Sequence, residues 1–502
     1  MSDAKTSATL MGEAAALRRS LEAKGGLGPK DRRAIPQQEM PSQEASARRR
    51  NMGEVALGYG EDQAVVESMR CLGCASKPCV AGCPVSLDIP AFLAQAAAGS
   101  FDEALAIIKK DSMLPAICGR VCPQEKQCMS DCTVGKIEKD PEKSVAIGRV
   151  ERFLADRGRA LAASRPSGAA PSPKASGFKV AVVGSGPSGL SAAADLARAG
   201  HEVTVYEAFH KPGGVAVYGI PEFRLPKSIV EEEAASLEAL GVRIVCDFLV
   251  GRTRTVAELM EKDGFAAVYI ASGAGLPKFM GIPGEDLVGV FSANEYLTRS
   301  NLMKAYDRER AATPIYAAKR VAVFGGGNVA MDAARTALRA GAEEVRVVYR
   351  RTEAEMPARV EEVAHAKEEG IIFDFLANPT RIIGDEKGRV SGAECLRYEL
   401  GEADASGRAK PVAVPGSEYL MEVDACIVAL GNDSNPLVTG TTPELKTNQR
   451  GNILVDPSGA TSMPGVFAGG DIVQGAATVI LAMGDGRRAA AGIDAYLMGK
   501  RG

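Results

Sequence analysis

Lys179-Val180-Ala181-Val182-Val183-Gly184-Ser185-Gly186-Pro187-Ser188-Gly189 runs from a short apolar strand through a glycine turn into a helix that continues to Ala199. Gly184, Gly186 and Gly189 stand at G-x-G-x-x-G spacing, which allows a tight turn and brings backbone N–H groups close to a pyrophosphate. Pro187 and Ser188 open the helix whose N-terminus faces that anion. Val203–Glu207 is the next strand, and Glu207 at its end carries a carboxylate that can accept both ribose hydroxyls of a dinucleotide. A glycine turn alone is a weak signal; strand, helix and terminal acid together are a specific one.

About 140 residues further on the unit recurs: a strand at Arg320–Phe324, the turn Gly325-Gly326-Gly327-Asn328-Val329-Ala330, a helix to Ala340 and a strand at Val345–Tyr349. Gly325, Gly327 and Ala330 fill the fingerprint positions, and Asn328 starts the helix. This second strand ends in Arg350-Arg351 rather than an acid. A guanidinium fork suits a 2′-phosphate, which favours NADP(H) over NAD(H); the alternative is a solvated arginine pair at a strand end. Two βαβ units predict two nucleotide-binding domains. Downstream, Gly469-Gly470-Asp471 has the form with which a two-dinucleotide flavoprotein closes on FAD. Asp471 is a candidate for the ribityl chain, and Thr478 opens a helix whose positive end can stabilise charge on the flavin ring.

N-terminal to these units, eight of eleven cysteines fall between Cys71 and Cys132. They read Cys71-x2-Cys74-x4-Cys79-x3-Cys83-Pro84 and Cys118-x3-Cys122-x5-Cys128-x3-Cys132. Tight thiol runs ending in Cys-Pro are typical of [4Fe–4S] sites, and two quartets suggest two clusters. Spacing alone allows all eight thiols to be ligands. Structural zinc also uses C-x2-C pairs, but it would set a redox-inert ion beside a flavin. Cys246, Cys395 and Cys426 lie in apolar strand-like segments and read as core residues. His201, His210 and His365 form no cluster.

The chain has 502 residues, a net charge of −3 and 46% apolar residues. Nothing in that balance suggests nucleic acid or a membrane surface as partner. No apolar run approaches the 18 residues of a spanning helix, and the polar, Ala-rich start lacks a secretory segment. A cytoplasmic location is expected, where clustered cysteines favour metal over disulfides. Gly158–Gly177 is a Ser/Pro/Gly/Ala stretch that reads as a linker.

Seven ordered stretches carry a resemblance: CLGCASKPCVAGCPVSLDIP, LPAICGRVCPQEKQCMSDC, VVGSGPSGL, GGVAVYGIPEFRLPK, GGGNVAMD, YRRTEAEMPA and GVFAGGDIVQGAATVILAMGDG. Together they resemble the glutamate synthase small (β) subunit family, which includes the large subunit of NADH-dependent ferredoxin:NADP oxidoreductase and the N-terminal half of dihydropyrimidine dehydrogenase. The resemblance implies an α+β and α/β multidomain fold. An N-terminal α-helical domain with two [4Fe–4S] clusters would precede two Rossmann-like, glutathione-reductase-like domains, the nicotinamide domain inserted in the FAD domain. The expected boundaries are an arm over 1–50, the helical iron–sulfur domain over 51–160 and a linker over 161–177. The FAD domain would span 178–290 and 425–502, and the NADP(H) domain 291–424.

The resemblance also implies a crossed ligand pattern. Cys71, Cys74, Cys79 and Cys132 would hold one cluster; Cys83, Cys122, Cys128 and Glu151 would hold the other, leaving Cys118 as a buried thiol. The loop from Gly213-Gly214-Val215 to Pro226-Lys227 resembles the one beside the isoalloxazine ring. Three functions compete: an electron-input subunit serving a glutamate synthase large chain, the NADP-binding subunit of a flavin-based electron-bifurcating complex that couples NADP(H), NAD(H) and ferredoxin, and a non-catalytic electron-transfer scaffold. The first two expect partner subunits or ferredoxin, hence a hetero-oligomer. No amidotransferase or synthase domain is read in the sequence.

Overall fold

The computed structural model describes residues 5–163, 174–403, 407 and 409–500. Strand β1 (Lys179–Val183) is central in a five-stranded parallel sheet. Its companions are β2 (Glu202–Tyr206), β3 (Arg243–Val245), β4 (Ala267–Ile270) and β16 (Val466–Ala468), in the order β16-β4-β1-β2-β3. β1 and β4 are continuous Val/Ala/Ile/Tyr runs because both sheet faces are covered. Two helices do much of that covering, Pro187–Arg198 and Val479–Gly499. They approach closely: a Cβ on Gly486 would lie 2.3 Å from the Ser188 carbonyl oxygen.

The second parallel sheet contains β6 (Val290–Ser292), β7 (Arg320–Phe324), β8 (Glu344–Tyr349), β9 (Ile372–Phe375) and β14 (Ala425–Val428), in the order β6-β14-β7-β8-β9. This corrects the expected boundary at 425. β14 lies between β6 and β7, with Cys426 opposite both Val290 and Ala322, so residues 425–428 belong with the nicotinamide unit, as does Val290. A doubly covered strand has the same apolar signature in either sheet, and sequence alone could not assign it. The two connections between these sheets, after β4 and after β14, meet as a small antiparallel pair, β5 (Leu276–Pro277) with β15 (Asn432–Asp433). Between β9 and β14 the second unit carries an antiparallel excursion of β10 (Ala377–Gly384), β11 (Val390–Ala403), β12 (Ala409–Ala413) and β13 (Tyr419–Met421).

The cysteine-rich region is helical: Glu61–Met69, Ile89–Ala97, Phe101–Asp111, Pro115–Val121 and Ile147–Ala163 enclose the cysteine loops. The second and third of these helices are separated at Gly99, which takes φ +77°. The last helix runs to Ala163, past the expected domain end at 160. Of the expected linker, residues 164–173 lie outside the described residues.

Residues 5–50 are not an appendage. Helix Ser7–Glu22 and the segment around Ile35 pack on Glu61–Met69 through Leu21, Ile35 and Val66. The junction is sealed by a fully buried pair, Glu67 and Arg70, with Arg70 Nη1 2.6 Å from Glu67. Glu67 also accepts the N–H groups of Gln38 and Ala146, while Arg70 donates to the carbonyls of Ile35, Lys143 and Ser144. Every charge is answered, which a buried pair requires. The clamp ties the arm to the chain just ahead of the Ile147–Ala163 helix. Among the described residues no helix is long and apolar enough to cross a membrane.

Gly486→Ala is expected to lower stability by about 1–3 kcal/mol, because backbone must give way to admit the methyl group. Gly440→Ala, where a Cβ meets nothing within 4 Å, should change it by no more than about 0.5 kcal/mol. Thermal unfolding of the cofactor-loaded proteins measures both.

Candidate functional site

At the first turn Gly184 takes φ +101°, and a Cβ there would lie 2.5 Å from the Ala271 carbonyl oxygen. Gly189 has no room either, since its Cβ would lie 1.9 Å from the carbonyl oxygen of Gly184. Gly186, by contrast, faces open space at the helix N-terminus, where nothing lies within 4 Å. That is the cradle a pyrophosphate needs. Pro187 is at the first helical position. Gly214 closes the turn from the far side: it takes φ +54°, and a Cβ would lie 2.7 Å from Gly186 Cα.

Glu207 follows β2 directly and is buried. Its carboxylate accepts the N–H of Ser185 at 2.9 Å, the Ser185 hydroxyl and the N–H of Phe209 at 2.9 Å. Four lone-pair directions are available to a carboxylate, so these bonds orient it and leave acceptor capacity for a ribose. Ser188 is used otherwise: its hydroxyl pairs with Tyr269 Oη at 2.6 Å inside the core. Tyr269 was not singled out from sequence, because a tyrosine in an apolar strand has no local signature. Asp471 starts the short helix Asp471–Gln474, accepts the Ala477 N–H at 3.2 Å and is pushed up to about 6 by burial. Thr478 caps the Val479–Gly499 helix through the N–H of Leu481.

At the second turn Gly325 takes φ +148°, and a Cβ on Gly326 would lie 2.7 Å from the Tyr349 ring. Gly327 is the N-cap of helix Asn328–Arg339, in which Ala330 is fully buried. Asn328 Oδ1 accepts the N–H of Arg359 at 2.9 Å, fastening the helix start to the loop that follows β8. The arginine pair separates. Arg350 is exposed, whereas Arg351 is buried and its Nε donates to the Ala409 carbonyl of β12 at 2.8 Å. Both are expected to face a 2′-phosphate; Arg351 has its Nε engaged by the antiparallel excursion, while Arg350 stays exposed. Successive residues at a strand end point to opposite sides, which is why the two diverge.

The cysteines gather around two cavities. One is lined by Cys71, Cys74, Cys79 and Cys132. The other is lined by Cys83, Cys118, Cys122, Cys128 and Glu151. Ile89 and Ile147 line both. Among the described residues no three ligating side chains converge on a point fit for one ion. Thiols ringing a void suit a cubane, whereas zinc requires four donors about 2.3 Å from a single centre.

Burial, followed by the neighbouring thiols Cys71 and Cys132, pushes Cys79 up to about 12. Burial pushes Cys83 up to about 11 and Glu151 up to about 8. These groups hold their protons at neutral pH until a metal displaces them. Glu151 stands four residues after Ile147 on one helix face, which brings its carboxyl to the second cavity. Cys118 lines that cavity too, with Sγ 3.5 Å from Met483 Sδ. Cys395 and Cys426 are buried as expected; Cys246 is only partly so.

Sequence reasoning missed how the loop from Gly213 to Lys227 is held. Lys227 is buried, and its ammonium donates to the carbonyls of Ala216 at 3.0 Å, Leu225 at 2.9 Å and Ile220; burial pushes its pKa down to about 7. Asn301 donates to the carbonyls of Tyr218 and Gly219 from the nicotinamide side. Arg224 Nη1 bonds both carboxylate oxygens of Asp332 at 2.7 Å, and its Nε lies 3.1 Å from Glu362 without the alignment of a hydrogen bond. Arg335 pairs with Glu362 and Glu369, Arg339 with Glu369, and Arg48 of the arm with Glu368 and Glu369. Arg224 and Lys227 lie within the quoted stretch GGVAVYGIPEFRLPK, but only the three-dimensional fold supplies their partners.

Residues 48–162 match the family model of dihydropyrimidine dehydrogenase domain II with its 4Fe-4S cluster, and residues 178–486 match that of pyridine nucleotide-disulphide oxidoreductase. The glutamate synthase [NADPH] small chain of Azospirillum brasilense is 39% identical over 469 residues, 92% of this chain and 95% of that one. The β subunit of the NADP(+)-dependent formate dehydrogenase of Moorella thermoacetica is 42% identical over 441 residues, 84% of this chain; the match spans only 60% of that longer protein. Mycobacterium tuberculosis FprA in complex with NADPH superposes with a TM-score of 0.54 at 22% identity, over 64% of this chain and 85% of that one, a likeness of fold. The two glycine cradles fit FAD and NADP(H), and the thiol-ringed voids fit [4Fe–4S] clusters. The chain belongs to the glutamate synthase small-chain family and is an NADPH-dependent oxidoreductase with FAD and iron–sulfur cofactors.

Proposed function

We propose that this chain is an electron-input subunit that converts the hydride of NADPH into single electrons and delivers them to a partner flavoprotein or ferredoxin. When bound, FAD takes the hydride, and the clusters accept its two electrons one at a time. One observation carries the reading: Ile480, two residues beyond the cap Thr478, also lines the cavity of Cys83, Cys122 and Cys128. The helix that closes the flavin site is therefore a wall of the inner cluster site. Ile89 and Ile147 separate that cavity from the outer one, whose Cys71, Cys74 and Cys79 are partly exposed. On this reading electrons would pass from the flavin to the inner cluster and then past Ile89 and Ile147 to the outer one.

The residues divide the work. Gly184, Gly186, Gly189, Glu207, Gly214, Asp471 and Thr478 hold FAD; Gly325, Gly327, Asn328 and Ala330 hold NADPH, with Arg350 reading its 2′-phosphate. Cys71, Cys74, Cys79 and Cys132 hold the outer cluster; Cys83, Cys122, Cys128 and Glu151 hold the inner one. Relatives named as subunits and small chains support a hetero-oligomer, and a cytoplasmic setting accords with thiolate-held clusters. The polypeptides that co-purify with the tagged chain identify the electron acceptor. An amidotransferase-bearing large chain would make it glutamate synthase; a ferredoxin-reductase-like or hydrogenase-like partner would make it a bifurcating complex. Isolation as a lone chain that cannot reduce ferredoxin would overturn the delivery role.

Glu151→Ala should lose about four of about eight irons and the EPR signal of one cluster while keeping stoichiometric FAD. Cys118→Ala should retain both clusters. The reverse pattern would make Cys118 the ligand. Arg350→Ala should raise KM for NADPH about 10-fold or more and leave KM for NADH within about 2-fold, since the lost contact is to the 2′-phosphate alone. Arg351→Ala should weaken the fold and raise both KM values to a similar extent.

A further inference from the structure

The segment Glu222-Phe223-Arg224 of the flavin-side loop is gripped by the nicotinamide domain with unusual completeness. Arg224 makes its two-oxygen contact with Asp332, and Glu362 flanks it. The Phe223 ring is fully buried beneath two guanidinium groups, Arg335 at 4.8 Å and Arg339 at 4.0 Å. The Phe223 carbonyl accepts the N–H of Val55, just beyond the arm. Asp332, Arg335 and Arg339 sit at i, i+3 and i+7 on helix Asn328–Arg339, so a single helix face makes the contact. That helix starts at the second glycine turn, and the gripped loop ends at Lys227, whose ammonium gathers the carbonyls around Gly214–Leu225.

None of these residues bears on the chemistry of either nucleotide. Their geometry links the placement of one cradle to the placement of the other. Buried arginines and carboxylates are a costly way to join two domains when apolar side chains would serve. Their distinction is placement: Arg224 Nη1 sits between the two Asp332 oxygens while its planar guanidinium is flanked by Glu362, which fixes the loop against one face of the helix.

We propose that Arg224 is a positioning residue for hydride transfer: through Asp332 it sets the nicotinamide-domain helix, and with it the NADPH cradle, in register with the flavin-side loop. The inference rests on the reading that NADPH reduces the bound flavin. In that step NADPH gives a hydride to FAD and leaves as NADP+, and a solvent proton completes the reduced flavin.

The test uses the FAD- and cluster-loaded full chain, with Arg224→Gln, Asp332→Asn, the double variant and Arg224→Lys. NADP+ titrated onto oxidised protein, without turnover, reports affinity and the change in the flavin absorption spectrum. Mixing with NADPH in a stopped-flow instrument reports the rate of flavin bleaching. Loss of register should leave NADP+ affinity within about 3-fold, alter the NADP+-induced flavin spectrum and slow bleaching about 10-fold or more, since small misplacements are costly to transfer. The double variant should be no slower than the slower single one, because both remove one interaction. Arg224→Lys, which keeps the charge but not the planar guanidinium, should recover part of the rate.

Bleaching within about 2-fold of the parent in both single variants, with an unaltered spectrum, would overturn the proposal. So would a rate loss matched by an equal loss of NADP+ affinity, which would make the pair a binding element. Should Arg224→Gln fail to fold, the isosteric Asp332→Asn carries the test; loss of flavin in that variant too would mark the pair as structural and overturn the positioning role. Failure of NADPH to bleach the parent protein would refute the functional reading instead.

Discussion

The fold is organised on a single apolar core shared by the cysteine loops and the segments around the first glycine turn. Cys118, Cys122, Cys128 and Cys132 belong to one hydrophobic core with Val217, Ile220, Leu225 and Ile229 of the flavin-side segment and Ile480 and Met483 of the last helix. A core of this kind excludes water from the space between redox centres, and burial also sets cluster potentials. Its drawback is electrostatic: burial holds the Cys128 thiol well above the usual range, and the Cys118 contact with burial does the same for Cys122. Paired charges at the periphery compensate: Glu67 with Arg70 beneath the arm, and the arginine–carboxylate array between the dinucleotide domains.

The arm acquires its meaning from those charges. Arg48 reaches Glu368 and Glu369 of the second unit, Gln38 bonds to Glu67 beside the cysteine helices, and Val55, just beyond the arm, bonds to the flavin-side loop. One extended segment therefore touches all three functional units. Linkage through such a strap makes domain placement a property of the whole chain, because no single interface carries it.

Much of the site was legible because glycines and cysteines are read locally. A turn that needs positive φ at Gly184 or a missing Cβ at Gly189 announces itself within a few residues. So does a thiol spacing, which pointed to two clusters; the division of Cys71, Cys74, Cys79 and Cys132 from Cys83, Cys122, Cys128 and Glu151 came from the family resemblance, and the two cavities group the residues in the same way. What sequence could not separate were long-range alternatives with equal local signatures. β14 is as apolar as any strand of the first sheet. Arg351 is identical to Arg350 until one of them is seen facing β12. Cys118 and Glu151 both reach the inner cavity, and the composition of neither segment distinguishes a ligand from a wall. Arg224 and Asp332 are 108 residues apart, and no periodicity links a basic residue in a loop to an acidic one on a distant helix.

β16 completes the edge of the first sheet, and the helix after it walls the inner cluster cavity. A polypeptide emerging from the ribosome would have its cysteines, its first glycine turn and its second glycine turn in place long before either wall existed. Flavin and inner cluster then share a gate in time: neither pocket can close until residues 466–499 have been made. Cofactor loading would follow synthesis, and a chain truncated ahead of that segment would lose two unrelated cofactors at once.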